Sequence, residues 1–308
     1  MSRDRRSVLT VGAANVERVI VCGRLSPGDK HLVAPGVETA GGSALNHSCR
    51  LLAAGFSALP LVPLGDDVAG DTVRRVVFDA VRARDECGGG NLTSWFDRLA
   101  RRGATTSVTT VVVEADGRRT VLTERGSASD SYPAVAADVL DELSPSEISG
   151  VLIGHIHSDR ASAQNAGGRT TSRVIDRFVD DVPVVANLGR TQYRLGPERW
   201  LDELRRVDLF QLSLLEAREF CGIARPSVRV IARWFQERGI NALITVDRFG
   251  ALGVLRDCRD VVFAWPDDLG DAVRDTTGAG DAMAAALMAE MVATGVRGRD
   301  FRPSDLAS

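Results

Sequence analysis

The stretch "RDTTGAGDAMAAALMAEM", residues 274–291, joins a glycine turn to a long run of Ala, Met and Leu. Gly278 and Gly280 open backbone angles that residues with a side chain avoid, and the residues after them are strong helix formers. The segment therefore predicts a turn feeding a helix N-terminus. The first amides of a helix lack internal partners, and the macrodipole is positive at that end. Such a turn aims several N–H groups at one point, which suits a phosphate or a developing negative charge. Asp281 falls beside that point. As a helix cap it is ordinary, because Asp is a preferred capping residue. Next to an anion site it is repelled by the anion, a poor choice unless the carboxylate does chemistry. The residues alone leave both roles open.

A second glycine turn, "ETAGGSALNHSCRLLAAGF" (38–56), enters another helix, with Asn46 one turn in. Gly41 and Gly42 let a ligand approach the backbone, and the Asn46 amide offers both donor and acceptor to a sugar hydroxyl.

Around these turns the chain alternates. Apolar, β-branched runs at 7–12, 58–65, 150–156, 182–188, 207–213 and 241–246 are mostly continuous, as in strands buried on both faces. Helical patterns lie at 43–55, 71–84, 172–181, 197–206 and 227–239. This order predicts an α/β protein with a mainly parallel sheet and helices on both faces. Residues of about 15–40 and 105–125 alternate like strands without helices, and Asp116-Gly117 marks a hairpin turn. These predict a small sheet standing off the main one. The glycine-rich segment 84–95 is expected to be an inserted loop.

The 308 residues are 44% apolar and 26% charged, as in soluble globular proteins, and permit one large α/β domain or two ordinary ones. A net charge of −3 gives no broad basic surface for nucleic acid. Five scattered cysteines without a CxxC argue against a disulfide framework or a zinc site and fit a reducing cytoplasm. His155 and His157 share one face of a strand, but no acid or cysteine nearby completes a ligand set, so they read as structural residues at a strand end. No run approaches the roughly 18 apolar residues of a membrane span.

Taken together, Gly41-Gly42-Ser43-Ala44-Leu45-Asn46 and Asp275-Thr276-Thr277-Gly278-Ala279-Gly280-Asp281 resemble the two signatures of the ribokinase-like (PfkB) family of sugar and nucleoside kinases. Further segments follow in family order, "VGAANVERV", "VPLGDDVAGDTV", "LSLLEAREFCG" and "LITVDRFGALGV", so the resemblance runs from about residue 7 to 296. It implies a single ribokinase-like domain over 1–308, with a β lid from the 15–40 and 105–125 strands that closes over the acceptor. It implies an ATP-dependent phosphotransferase acting on a hydroxyl, normally a hydroxymethyl group, of a sugar or nucleoside. Asp281 is then the base, with amides of Gly278, Ala279 and Gly280 for the transferred group. Glu17, Gly41, Gly42 and Asn46 bind the acceptor, and Thr245, Asp247, Gly250 and Thr277 lie at the nucleotide. Glu216 serves magnesium, usually through water, and Asp275 contributes to an incomplete monovalent-cation (K+) site. In some relatives the lid makes a homodimer.

The chain also departs from the family. Glu17 replaces an Asp, Ser213 an Asn, Asp247 a Gly, and Asn187 stands where many members have Asp. "GVRGRDFRPSDLAS" ends about where the resemblance implies a further C-terminal helix. Asp247, Ser213 and this short tail keep a second class of function in view: a catalytically weak or inactive ligand-binding or regulatory protein on the same fold.

Overall fold

The computed structural model describes residues 7–26, 28–83, 89–157, 170–224, 226–258, 261–264 and 278–301. The chain order is β1 (Ser7–Val11), β2 (Asn15–Cys22), β3 (Val37–Gly41), α1 (Ser43–Ala53), β4 (Ala58–Leu61), β5 (Leu64–Gly65), α2 (Val68–Arg82), α3 (Gly89–Leu99), β6 (Ala100–Arg101), β7 (Ser107–Glu114), β8 (Arg119–Glu124) and α4 (Ala128–Glu142). It continues with β9 (Ile148–Ile153), α5 (Thr170–Phe178), β10 (Val184–Ala186), α6 (Arg190–Tyr193), α7 (Leu201–Arg206), β11 (Leu209–Ser213), α8 (Leu214–Cys221), α9 (Val228–Glu237), β12 (Ala242–Thr245), β13 (Ala251–Val254), β14 (Val261–Ala264) and α10 (Ala279–Thr294).

Eight strands form the main sheet in the order β14-β13-β12-β11-β10-β9-β1-β4. Its pairs from β4 to β12 are parallel, while β13 pairs antiparallel with β12 and with β14. Every residue of β4, β9 and β10 is buried. A strand buried on both faces has no polar side to alternate with, which is why these segments read as continuous apolar runs. The smaller sheet, β3-β2-β7-β8, pairs β2 with β7 in parallel and its outer strands antiparallel. Its β8 is exposed throughout.

Two anchors fix the elements around the turns. Thr10 on β1 donates from its hydroxyl to the Ala44 carbonyl at 3.0 Å and lies 2.6 Å from the Ser48 hydroxyl, tying α1 to the sheet. At the other end of α10, Asp208 accepts from the Arg297 guanidinium at 3.0 Å and from the amides of Gly298 and Val184 at 2.6 and 2.8 Å. Asp208 is buried and Arg297 nearly so.

One expectation fails. Residues 89–99 are the helix α3, not an inserted loop. Leu92, Trp95, Phe96 and Leu99 are buried at helical spacing, and the Trp95 indole N–H donates to the Pro60 carbonyl at 2.8 Å. Burial of that apolar stripe outweighs the low helix propensity of the glycines before it. The helix α4 has no counterpart among the segments expected to be helical.

Candidate active site

Open parallel sheets place ligands at the carboxyl ends of their strands. Here that edge gathers His155 beyond β9, Asn187 beyond β10, Gln211 and Ser213 on β11, and Thr245 ending β12. With Glu216, Gly278, Gly280 and Asp281 they line one cavity of about 270 Å³.

Asp281 enters this cavity from the first turn of α10. Gly278 caps that helix at φ 74°, a left-handed angle natural to glycine, and no side chain caps it. Among the described residues the first-turn amides therefore have neither an intrahelical nor a side-chain acceptor. The double-glycine turn reaches the same place from α1. Gly42 has φ 98°, and a Cβ there would lie 2.6 Å from the Ala13 carbonyl oxygen. From the first turn of α1, Asn46 Nδ2 donates to Asp281 Oδ2 at 2.7 Å. His47, fully buried, brings Nε2 to 3.3 Å from Asp281 Oδ1. That pair is close but not aligned as a hydrogen bond, and among the described residues neither ring nitrogen has another partner.

These contacts set the charge of the site. Burial pushes the Asp281 carboxyl up, but His47, Asn46 and His155 together outweigh it and hold the group below the usual carboxylate range. Burial lowers His155 from its ordinary value more than the nearby Asp281 and Glu216 raise it.

Ser213 and Glu216 form a reciprocal cap on α8. The Ser213 amide and hydroxyl donate to Glu216 Oε2 at 2.7 and 2.8 Å, and the Glu216 amide donates to Ser213 Oγ at 3.3 Å. Ser213 thus keeps a helix-capping role that suits Ser as well as Asn. Asn187 donates from Nδ2 to the Gln211 side chain and, at 3.3 Å, to its carbonyl.

Asp247 is the one non-glycine residue with positive φ among the described residues, at 45°. It retains the left-handed backbone for which the Gly it replaces is suited. Its side chain is exposed and does not line the cavity, nor does Gly250, at φ 110°. Glu17 on β2 holds its carboxylate against Gly41, where a Cβ would lie 2.4 Å from Oε1. Thr277 and Asp275 lie outside the described residues.

Sequence reasoning misses three side chains. His155 is no mere strand-end residue, because it forms part of the cavity wall, while His157 lines a smaller cavity beside Tyr132. The signal for His155 was available, since it follows the carboxyl end of a parallel strand. His47 and Gln211 carry no such local mark.

A ribokinase-like α/β fold and a carboxylate at a glycine-capped helix N-terminus define the class. Residues 97–302, about two thirds of the chain, match the model described as pfkB family carbohydrate kinase. The chain belongs to that family. Among solved structures it is similar to ribokinase from Arabidopsis thaliana, with a TM-score of 0.68 and 18% identity over 94% of this chain and 86% of the other. It is also similar to adenosine kinase from Sinorhizobium meliloti (0.66, 18%, 94% and 88%). Nucleoside kinase from Burkholderia thailandensis is a third (0.62, 18%, 94% and 85%). At these identities the likeness is one of fold. No curated protein matches the sequence. Among the described residues no helix is long and apolar enough to cross a membrane.

Proposed function

We propose that the protein is an ATP-dependent kinase that phosphorylates a hydroxyl, most readily a hydroxymethyl group, of a sugar or nucleoside. One observation carries this reading: Asp281, held below the usual carboxylate range, stands at the glycine-capped N-terminus of α10 in a cavity, with Asn46 on one of its oxygens.

In the reaction, the acceptor hydroxyl gives its proton to the Asp281 carboxylate as its oxygen bonds to the γ-phosphorus. The bond from that phosphorus to the bridging oxygen breaks, and ADP leaves. Amides of Gly278, Ala279 and Gly280, with the helix dipole behind them, meet the charge on the transferred group. Glu17, the backbone of Gly41 and Gly42, and the remaining amide hydrogen of Asn46 bind the acceptor's other hydroxyls. Thr245, Gly250, Asp247 and Thr277 belong to the nucleotide side. The small sheet closes as a lid and excludes water, and its exposed Val21, Val121 and Leu122 suit covering by a second copy of the chain.

Among the described residues no group of three or more His, Cys, Asp and Glu side chains could hold a metal directly. Magnesium fits this site in its usual manner, through phosphates, water and the single carboxylate of Glu216. When bound it supplies charge neutralisation at the phosphates. The K+ reading rests on Asp275, outside the described residues.

The similar structures include a ribokinase complexed with ribose and ATP and a nucleoside kinase in complex with inosine. Both acceptors carry ribose, so ribose-bearing compounds are the first to try. The test is phosphate transfer from Mg·ATP to a panel of pentoses, hexoses and nucleosides. Transfer to one acceptor, lost in Asp281→Asn, is the expected result. Saturable binding of an acceptor without transfer by the wild type would replace this reading with that of a ligand-binding protein.

A further inference from the structure

His47 is fully buried, and among the described residues neither ring nitrogen has a hydrogen-bond partner. A buried imidazole without partners is a worse filling than an apolar side chain of its size, because its polar atoms give up water for nothing. Its place is not arbitrary. Nε2 lies 3.3 Å from Asp281 Oδ1, while the preceding residue, Asn46, holds Oδ2 at 2.7 Å. Consecutive residues of α1 therefore straddle one carboxylate on α10. Gly154 leaves room for α1 here: a Cβ would stand 2.4 Å from Ser43 Oγ and 3.2 Å from His47 Cε1.

We propose that His47 is a positioning residue for Asp281: with its proton on Nε2 it holds Oδ1 as Asn46 holds Oδ2, so the carboxylate meets the acceptor hydroxyl in one orientation. The proposal rests on the reading of Asp281 as the base. At 3.3 Å the pair is within reach but poorly aligned, as catalytic contacts often are before substrate tightens them. Among the described residues, the charged and titratable groups around the pair are His155 beyond β9 and, across the cavity, Glu216 on α8. On α1 itself Arg50 is exposed.

Two variants separate positioning from filling. His47→Met keeps bulk and removes the donor; His47→Gln keeps an N–H near the Nε2 position. Two readouts separate this proposal from the kinase reading. The first is the titration of the Asp281 carboxyl by 13C NMR in the unliganded protein, which needs no activity. The second is steady-state transfer. In His47→Met the Asp281 midpoint should rise by about one pH unit, because a contact favouring the charged form is gone. Its kcat should fall about 10- to 100-fold, with the acceptor KM changed by less than about threefold. His47→Gln should restore both. An unmoved midpoint in His47→Met, or a Gln variant no better than Met in both readouts, overturns the proposal. If wild type transfers phosphate to nothing while the midpoint still moves, the kinase reading falls and the His47–Asp281 coupling stands. Should His47→Met not fold, His47→Asn, whose shorter amide withdraws the donor from Oδ1, serves in its place.

Discussion

Asn46 and Asp281 lie 235 residues apart in sequence and share a 2.7 Å hydrogen bond. The bond occupies one lone pair of Oδ2 and one amide hydrogen of Asn46, so the carboxylate keeps room for an acceptor hydroxyl and the amide keeps a donor. On the proposed function Asn46 would hold the base as well as face the acceptor.

Asp281→Asn should abolish transfer while leaving the fold intact, because Asp281 lies within the first turn of α10 and makes no capping bond there, so an amide of the same size keeps the helix start. Thermal melting and acceptor binding by calorimetry check the second half. A collapse of folding in this variant would leave Asp281 as a structural cap.

The same carboxyl fixes the acid side of the pH profile. Its value lies below the ordinary carboxylate range, so the ionised base is present through neutral pH and is lost only as pH falls through that lowered value. The fall in kcat on acidification should come below about pH 4, the ordinary Asp value. The stability gained from its contacts runs the same way: present above the unfolded-state value, and lost as pH falls through the folded one. An acid limb near pH 6 would assign the titration to another group.

Asn46→Ala should lower kcat and raise the acceptor KM together, since one side chain serves both the base and the acceptor. Loss of one charge-assisted hydrogen bond predicts roughly a tenfold drop in kcat/KM at the least. A change confined to KM would show that the contact with Asp281 carries no weight in transfer.

Asp247→Gly tests the replaced glycine turn. Relief of the left-handed strain and the added freedom of the unfolded chain oppose one another, so stability should stay level or rise by up to about 1 kcal/mol. Asp247→Val should lose about 1–2 kcal/mol, because a β-branched residue resists positive φ. The carboxylate is exposed, and a screened surface charge is worth at most about 1 kcal/mol, so the KM for ATP should fall by less than about fivefold in the Gly variant. A larger fall would mean that Asp247 faces the bound phosphates.

Asp208→Ala should destabilise the protein by about 3 kcal/mol or more, because it strands the Arg297 guanidinium and two amides that now share the carboxylate. Chemical denaturation measures it; a loss under about 1 kcal/mol would make this anchor an ornament of the fold.

The six parallel strands of the main sheet are legible in sequence because strands buried on both faces are written as unbroken apolar runs, whereas the short antiparallel β13 and β14 at its edge are not. The glycine-capped start of α10 is legible because a left-handed cap leaves a glycine and a helix dipole leaves a pattern. The helix α4 is not, since Ser, Asp and Pro133 in its opening turns resemble a loop. Its buried Tyr132, Val135, Ala136, Val139 and Leu140 show their spacing only once the whole span is taken as helical. Glycines hide α3 in the same way. His47 and His155 are illegible for another reason. What they do depends on where α1, β9 and α10 meet, and no local pattern encodes that meeting.

The separation between Asn46 and Asp281 has a consequence for how the protein comes into being. At about 5–20 residues per second of synthesis, α1 leaves the ribosome roughly tens of seconds before α10. Through that interval the buried surface that α1 will share with α10, His47 included, has no cover, and the chain holds half of a site. Until α10 docks, a nascent chain holds Asn46 and His47 without the carboxylate they straddle. The same exposed stripe is a place where a chaperone can hold it.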